Sequence, residues 1–242
     1  MRLSEFEALS FDCYGTLIDW ETGIKSALQT LLSYVPKTPD ENEVLELFGQ
    51  LESGLQSVHR SWPYPRILEE THRQLAKAFD ARVPDTKHRK FGESVSAWPA
   101  FNDTAEAMKY LKKHFKLVIL SNVDRESFRQ SNKHLGIEFD AIYTAEDIGS
   151  YKPDNNNFQY LINGIKNDLG IPKNKILHTA QSLFHDHVPA IALGLATAWI
   201  DRRHNQLGQG ATQLPSIVPK VDFTFLSLQA LVSAHASELN VV

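Results

Sequence analysis

The chain has 242 residues, of which 42% are hydrophobic and 22% are charged, so it is long enough to bury a core without help from a disulfide or a metal. Its 25 basic and 29 acidic side chains give a net charge of −4, which provides no field to attract nucleic acid or an anionic membrane. The single cysteine, Cys13, excludes an internal disulfide. The N-terminus lacks the layout of a secretory signal, and no apolar run approaches the ~20 residues that cross a bilayer. We therefore expect a cytoplasmic protein without nucleic-acid or membrane partners.

Short apolar runs alternate with longer stretches of helical periodicity, and this alternation predicts an α/β fold with a mostly parallel sheet. Buried strands are predicted at Ala8–Phe11, Leu117–Leu120, Ala141–Tyr143, Ile176–Thr179 and Thr197–Ile200. Helices are predicted over Asn155–Lys166 and Val188–Leu193, and a last strand over Phe223–Phe225 is followed by a helix over Leu226–Leu231.

A long insertion separates the first two predicted strands. About a hundred residues lie between them, far more than the dozen or so that one crossover needs. From Trp20 to about Val95 apolar residues recur with helical period, and prolines stand where helices should stop. The segment therefore predicts a small helical insert.

Asp12 follows the first predicted strand and precedes Gly15 and Thr16. Open parallel sheets bind their ligands at the carboxyl ends of the strands, so this carboxylate is placed as a nucleophile. Gly15 permits a tight turn there, and the Thr16 hydroxyl can hold the carboxylate in one rotamer. The alternative is an aspartate that only caps the turn.

Polar side chains also follow three later strands. Ser121 and Asn122 end the second strand with a hydroxyl and an amide that could bind a carboxylate or phosphate oxygen. Lys152 precedes a predicted helix and can hold an anionic nucleophile, lowering its pKa. Asp186 lies in the polar loop after the fourth strand, where it could orient a water, pair with Lys152 or ligate a divalent cation.

Three histidines close to Asp186 invite comparison with a zinc site. His178, His185 and His187 have neither a cysteine pair nor the His-x-x-x-His spacing that zinc sites use. We therefore expect His178 to be a packed strand residue.

The order of these motifs resembles the haloacid dehalogenase-like superfamily of hydrolases. Its motifs are hhhDxxGT after a strand, a strand that ends in Ser or Thr, Lys-Pro, and a terminal acidic loop. Phe-Asp-Cys-Tyr-Gly-Thr-Leu-Ile-Asp, Ser-Asn and Tyr-Lys-Pro-Asp look most like the L-2-haloacid dehalogenase branch. The resemblance covers nearly the whole chain. It implies a Rossmann-like core of residues 1–19 and 96–242, with residues 20–95 as a helical cap domain over Asp12.

Tyr14 stands where phosphatases of this superfamily have a second aspartate, the acid that protonates a departing alkoxide. A phenol with a pKa of about 10 is a poor proton donor, whereas a halide leaves without a proton. The resemblance therefore implies hydrolytic dehalogenation of a short 2-haloacid through an aspartyl-ester intermediate.

The resemblance also implies the roles of individual residues. The catalytic residues would be Asp12, Thr16, Lys152 and Asp186, and the substrate-binding residues would be Tyr14, Gln50, Ser121, Asn122 and Ser182. The substrate would be a small anion, and the chemistry requires neither metal nor any other cofactor. Relatives of this branch are often dimers, which leaves a homodimer open.

The chain departs from the family pattern at three places, one of which is the terminal loop, where residues 181–186 lack the asparagine that the family carries near its aspartate. Family dehalogenases carry an arginine in the first cap helices that helps to receive the halide; Gly49 falls near its place, and Arg60 or Arg66 is the candidate replacement. Phe158 replaces a tyrosine six residues after the motif lysine.

Two alternative functions remain open. One is a magnesium-dependent phosphatase in which Asp12 and Asp186 are the Mg²⁺ ligands. The other is an inert protein that kept the fold for binding or scaffolding, which the missing arginine favours.

Overall fold

Six parallel strands form a single sheet in this computed structural model, which describes residues 1–37 and 39–240. Their order across the sheet is β3-β2-β1-β4-β5-β6. The strands are β1 (Ala8–Phe11), β2 (Lys116–Ser121), β3 (Ala141–Thr144), β4 (Ile176–Ala180), β5 (Ala196–Ile200) and β6 (Phe223–Phe225).

Helices cover both faces of the sheet, and the first four of them lie in the predicted insert between β1 and β2. These inserted helices are α1 (Trp20–Leu32), α2 (Glu41–Val58), α3 (Tyr64–Ala78) and α4 (Asp85–Gly92). The others are α5 (Thr104–Leu111), α6 (Arg125–Leu135), α7 (Ala145–Ile148), α8 (Asn155–Leu169), α9 (Val188–Ala192) and α10 (Leu228–Leu239). Among the described residues, none of the helices has the length and apolar character needed to cross a membrane.

The predicted α/β fold with a parallel sheet and a helical insert is confirmed. All six predicted strands are present, and four of them extend one residue further at one or both ends. The last helix was predicted to begin too early: it spans Leu228–Leu239, because the Ser227 hydroxyl accepts a hydrogen bond from the Ala230 N–H and caps it there. The domain boundaries at residues 19 and 96 stay a prediction.

The central strand, β1, is buried along its whole length. Because successive side chains of a strand point to opposite faces, Leu9 and Phe11 pack in the larger apolar cluster, which includes the inserted helices. Ala8 packs in the smaller cluster on the other side, with Phe158 of α8. Burial on both faces leaves the carboxyl edge of β1 as the place where its polar continuation can meet a ligand.

The loop between β5 and β6 packs against α2 and joins the insert to the sheet. The Glu21 carboxylate accepts a hydrogen bond from the Ala211 N–H at 2.9 Å, and Glu46 accepts one from the Gln209 N–H at 3.3 Å. At Gly49 the two backbones touch: a Cβ there would lie 2.0 Å from the Ala211 carbonyl oxygen. The contact therefore requires glycine at this position of α2.

We expect Gly49→Ala to lower the free energy of unfolding by about 1–3 kcal/mol, because the added methyl displaces the Ala211 backbone. Gly54→Ala is the matched control on the same helix, since a Cβ there meets nothing within 4 Å. That variant should gain up to about 1 kcal/mol from reduced backbone freedom. Urea unfolding measures the free energy of unfolding of both variants. An equal increase in the two would contradict the Gly49 contact.

Candidate active site

Asp12 directly follows β1, and the turn after it fixes its side chain. Gly15 adopts a φ of +93°, and a Cβ there would approach the Trp20 indole nitrogen to 3.1 Å. The Thr16 hydroxyl donates to Asp12 Oδ2 at 2.7 Å and accepts from the Gln181 N–H at 2.9 Å. The hydroxyl hydrogen is therefore directed at Asp12, as predicted for Thr16.

Lys152 is 2% exposed and lies between two carboxylates. Its Nζ donates to Asp12 Oδ1 at 2.8 Å, to Asp186 Oδ1 at 2.7 Å and to the Leu120 carbonyl at 3.0 Å. These contacts use all three ammonium hydrogens. Asn122 fixes the backbone of Lys152, accepting from its N–H at 2.7 Å and donating to its carbonyl at 3.0 Å.

The two carboxylates differ in proton affinity. Burial raises the pKa of Asp12 above its ordinary value, and the opposing charge of Lys152 does not fully offset it. Burial acts on Asp186 as well, but Lys152 and a hydrogen bond from His178 hold the pKa of that carboxyl well below its usual range. As the pH falls, Asp12 therefore takes up a proton before Asp186 does.

His178 connects Asp186 to the sheet. Its Nε2 donates to Asp186 Oδ1 at 2.9 Å, and its Nδ1 lies 2.9 Å from the Ser10 hydroxyl. Phe158 packs edge-on against the imidazole, with ring centroids 5.1 Å apart. His178 is fully buried in β4, as predicted, but its contact with Asp186 was not foreseen. The second oxygen, Oδ2 of Asp186, is buried and has no hydrogen-bond partner among the described residues.

Tyr14 directs its hydroxyl into α6. The hydroxyl lies 2.8 Å from Ser131 Oγ and donates to the Ser127 carbonyl at 3.4 Å. Burial raises the pKa of the phenol well above its ordinary value. Its ring packs edge-on against Trp98, with centroids 5.7 Å apart. Tyr14 therefore contributes a wall to the site and is poorly placed to supply a proton.

A cavity of about 40 Å³ opens between Asp12 and the inserted helices, which is room for a few water molecules. It brings together six of the nine predicted site residues with side chains that were not predicted. The lining residues are Asp12, Tyr14, Trp20, Glu52, Gln56, Tyr64, Asn122, Lys152, Ser182, His185, Asp186 and Thr212. Thr16 lies behind Asp12 and acts on it through the hydrogen bond described above.

The structure does not bring Gln50, a predicted substrate-binding residue, to the cavity. Gln50 is exposed on α2 and does not line the cavity. The side chains of α2 that reach the cavity are those of Glu52 and Gln56, four residues apart on one face. A residue two positions before Glu52 lies about 200° around the helix, so Gln50 faces solvent.

Ser121 also does not line the cavity. It is 1% exposed, and its hydroxyl has no hydrogen-bond partner among the described residues. The next residue, Asn122, reaches the cavity instead, because neighbouring side chains at a strand end point in different directions. Ser182 does line the cavity, and its hydroxyl accepts from the His185 N–H at 2.9 Å.

Neither candidate replacement for the family's cap arginine reaches the cavity. Arg60 pairs with Asp154 at 2.8 Å, and the Arg66 guanidinium stacks over Trp62, 3.9 Å from the ring centroid. Gly49 has no space for a side chain. The structure therefore places neither Arg60 nor Arg66 where it could receive a halide at Asp12.

His185 supplies no positive charge either. Burial lowers the pKa of His185 to about 4, so the imidazole is neutral at pH 7. Among the residues that the structure describes, Lys152 is then the only cation lining the cavity at that pH. Its charge is already shared between Asp12 and Asp186.

Glu52 and Gln56 are the functional candidates that the sequence analysis missed. They are 4% and 3% exposed, and Gln56 Nε2 donates to Glu52 Oε1. Gln56 Oε1 in turn accepts a hydrogen bond from Asn122 Nδ2 at 3.2 Å. This contact joins the insert to the residue that follows β2. Burial raises the pKa of Glu52 to about 8. The sequence did offer one indication of a buried acid: Glu52 stands four positions after Phe48, on the apolar face of α2.

The same geometry tests the predicted magnesium ligands. The ammonium of Lys152 lies between Oδ1 of Asp12 and Oδ1 of Asp186, where a shared cation would bind. Thr16 engages the other oxygen of Asp12. The described part of the chain contains no group of three or more His, Cys, Asp or Glu side chains that could hold a metal. These residues do not fit Mg²⁺.

We expect Lys152→Met to cost about 3–5 kcal/mol of stability at pH 8, because two buried carboxylates lose their cation. Without Lys152 their pKa values in the folded state rise above those in the unfolded chain, so the loss should shrink as the pH falls and they take up protons. Lys166→Met removes an exposed charge on α8 and is the control. Urea unfolding at several pH values measures the effect; a loss independent of pH would contradict the charge network.

Comparison with known proteins places this site in a family. The family model for haloacid dehalogenase-like hydrolases matches residues 9–199, and a search of curated proteins finds no match. The L-2-haloacid dehalogenase PA0810 is 24% identical with a TM-score of 0.76, over 96% of this chain and 99% of that one. The enzyme from Xanthobacter autotrophicus with chloropropionic acid covalently bound is 17% identical with a TM-score of 0.76, over 94% and 97%.

A third similar structure is the putative hydrolase YfnB from Bacillus subtilis, bound to magnesium. It is 17% identical with a TM-score of 0.73, over 98% of this chain and 100% of that one. At these identities the structures establish a shared fold, while the family match covers most of the chain and includes Asp12, Lys152 and Asp186. The chain belongs to the haloacid dehalogenase-like hydrolases.

Proposed function

We propose that this protein hydrolyses a carbon–halogen bond through an ester of Asp12, acting on a short 2-haloacid or an uncharged derivative of one. The observation that carries the proposal is the fixed carboxylate of Asp12. It stands at the carboxyl edge of the central strand, held by Thr16 and Lys152, and opens on a small cavity. A nucleophile held in one geometry loses little freedom on reaching the transition state.

In the first step, an oxygen of Asp12 attacks the carbon that bears the halogen. The new C–O bond forms as the C–halogen bond breaks, and the bonding electron pair leaves with the halide. The halide needs no proton to leave. This agrees with the state of Tyr14, whose hydroxyl is hydrogen-bonded to Ser131 of α6 and whose pKa is raised by burial, so that it is a poor proton donor. Lys152 keeps Asp12 oriented during the attack.

In the second step, water attacks the carbonyl carbon of the Asp12 ester and the bond from that carbon to the substrate oxygen breaks. One proton of the water goes to the departing oxygen, which gives the 2-hydroxy product, and the other leaves to solvent as the carboxylate is regenerated. Asp186 lines the cavity, and we assign its carboxylate to accept a hydrogen bond from that water. His178 and Lys152 keep Asp186 ionised by lowering its pKa. Asp186 is thereby suited to orient the water rather than to take its place as nucleophile.

The similarity to dehalogenase structures supports this reaction type, and one of those structures holds chloropropionic acid covalently bound. The magnesium-dependent phosphatase alternative has a magnesium-bound structural neighbour. It is disfavoured because Lys152 takes the position between the two carboxylates and because Tyr14 is not an acid. We retain it as an outcome of the substrate test.

We expect the protein to release halide from at least one of L-2-chloropropionate and 2-chloropropionamide, and Asp12→Asn to lower the rate at least about 10³-fold, because an amide is not a nucleophile. Single-turnover reaction in H₂¹⁸O should place the label in Asp12, read by mass spectrometry of its peptide. Glu43→Gln, which removes an exposed charge on α2 far from Asp12 in the sequence, is the control and should leave the rate unchanged.

Two results would contradict this proposal. Halide release that Asp12→Asn leaves unchanged would remove Asp12 as the nucleophile. Turnover of phosphomonoesters that requires magnesium, with no halide released from either compound, would favour the phosphatase.

We expect kcat/KM to fall at low pH with an apparent pKa above 3.8, because burial raises the pKa of Asp12 and the protonated carboxyl does not attack carbon. The ionised carboxylate of Asp12 is the active form, so activity is lost as the pH drops through the raised pKa. Initial rates from about pH 4 to pH 7 measure it, with circular dichroism to confirm folding. A rate that stays constant over this range would contradict the raised pKa.

A further inference from the structure

We propose that Glu52 and Gln56 form an uncharged polar subsite that binds the end of the substrate remote from the halogen. The preferred substrate is then a short 2-halo compound whose polar end carries no charge, such as a 2-haloamide. This inference rests on the proposed function, because it names the substrate class on which Asp12 acts.

The position of the two residues supports the subsite. Glu52 and Gln56 lie four residues apart on α2, so they share one face of the helix. Both line the cavity that Asp12 lines, and both are almost fully buried. A ligand held against Asp12 in so small a cavity also contacts this face of α2.

The balance of charge in the cavity argues against a carboxylate at this end. Lys152 is paired with both Asp12 and Asp186, and His185 is neutral. A bound carboxylate would therefore be buried next to two anions with no unpaired cation among the described lining residues. Burying an unpaired charge is far more costly than burying an amide that forms hydrogen bonds.

Glu52 itself is suited to be a neutral donor. The titratable groups that face it are the phenols of Tyr64 and Tyr151, and burial raises the pKa of each. Burial raises the pKa of Glu52 to about 8, and a hydrogen bond with Tyr64, which favours the ionised carboxylate, does not offset it. Among the described residues that line the cavity, the one cation at pH 7 is Lys152, which is paired with Asp12 and Asp186. At pH 7 the carboxyl keeps its proton and can donate it in a hydrogen bond to a carbonyl oxygen.

Hydrogen bonds connect this subsite to the nucleophile. Gln56 donates to Glu52 and accepts from Asn122, and Asn122 bonds to the backbone of Lys152 on both sides. Because Lys152 holds Asp12, the two ends of the cavity have a defined separation. A substrate anchored at Glu52 is then presented to Asp12 at a fixed distance.

The first experiment compares halide release from 2-chloropropionamide and L-2-chloropropionate. We expect the amide to have at least about tenfold higher kcat/KM at pH 7, and its KM to rise above pH 8 as Glu52 ionises. Glu52→Gln stays neutral and polar, so it should keep the preference and remove the rise in KM. Glu52→Leu should raise KM for the amide about tenfold with little change in kcat, because it removes binding common to ground and transition states. Glu43→Gln is the control.

The second experiment does not depend on turnover. Binding of propionamide and of propionate, neither of which has a leaving group, is measured by calorimetry on the native protein and on the Glu52 variants. Preference for propionamide that Glu52→Gln keeps and Glu52→Leu abolishes supports the subsite even if no halide is released from either chloro compound.

The inference and the proposed function fail in different ways. Equal or stronger binding of propionate, or higher kcat/KM for L-2-chloropropionate with halide release that depends on Asp12, overturns the subsite and leaves the proposed function standing. Preferential binding of propionamide together with no halide release overturns the proposed function and leaves the neutral subsite.

Discussion

The rest of the site depends on one buried ammonium. Lys152 donates to Asp12, Asp186 and the Leu120 carbonyl, which come from three neighbouring strand ends. Removing an ion from water costs several kcal/mol, and only good geometry with every hydrogen bond satisfied offsets this. Here all three hydrogens have partners. The same contacts hold the nucleophile, keep Asp186 ionised and take the position that a shared metal cation would need.

Using the ammonium in this way determines how a substrate can be recognised. Two carboxylates and one ammonium leave an excess negative charge at the strand edge, and no described residue of the insert that lines the cavity is a cation that could compensate it. The close contact of Gly49 with Ala211 excludes a long side chain at this position of α2, near which the family resemblance implies an arginine. Recognition must then come from neutral hydrogen-bonding groups, and Glu52 and Gln56 are the buried pair on the insert that can provide it.

The sheet-edge residues could be predicted from sequence because parallel strands end at one edge. Asp12, Lys152 and Asp186 follow different strands, and that rule alone brings them together. No comparable rule gave the side chains of the insert, because the face that a helix turns inward depends on how it packs. Gln50 was therefore placed wrongly and Glu52 overlooked, although an acidic residue among the apolar positions of α2 was visible.

The contacts that join the insert to the strand edge are weaker than those within the edge. The hydrogen bond between Gln56 and Asn122 is a neutral contact at 3.2 Å, and such a bond contributes about 1 kcal/mol. The contacts of Lys152 involve charged groups and lie entirely within the strand edge, where each is worth more. Changes at Glu52 and Gln56 should therefore alter substrate binding while Asp12 stays held in position to react.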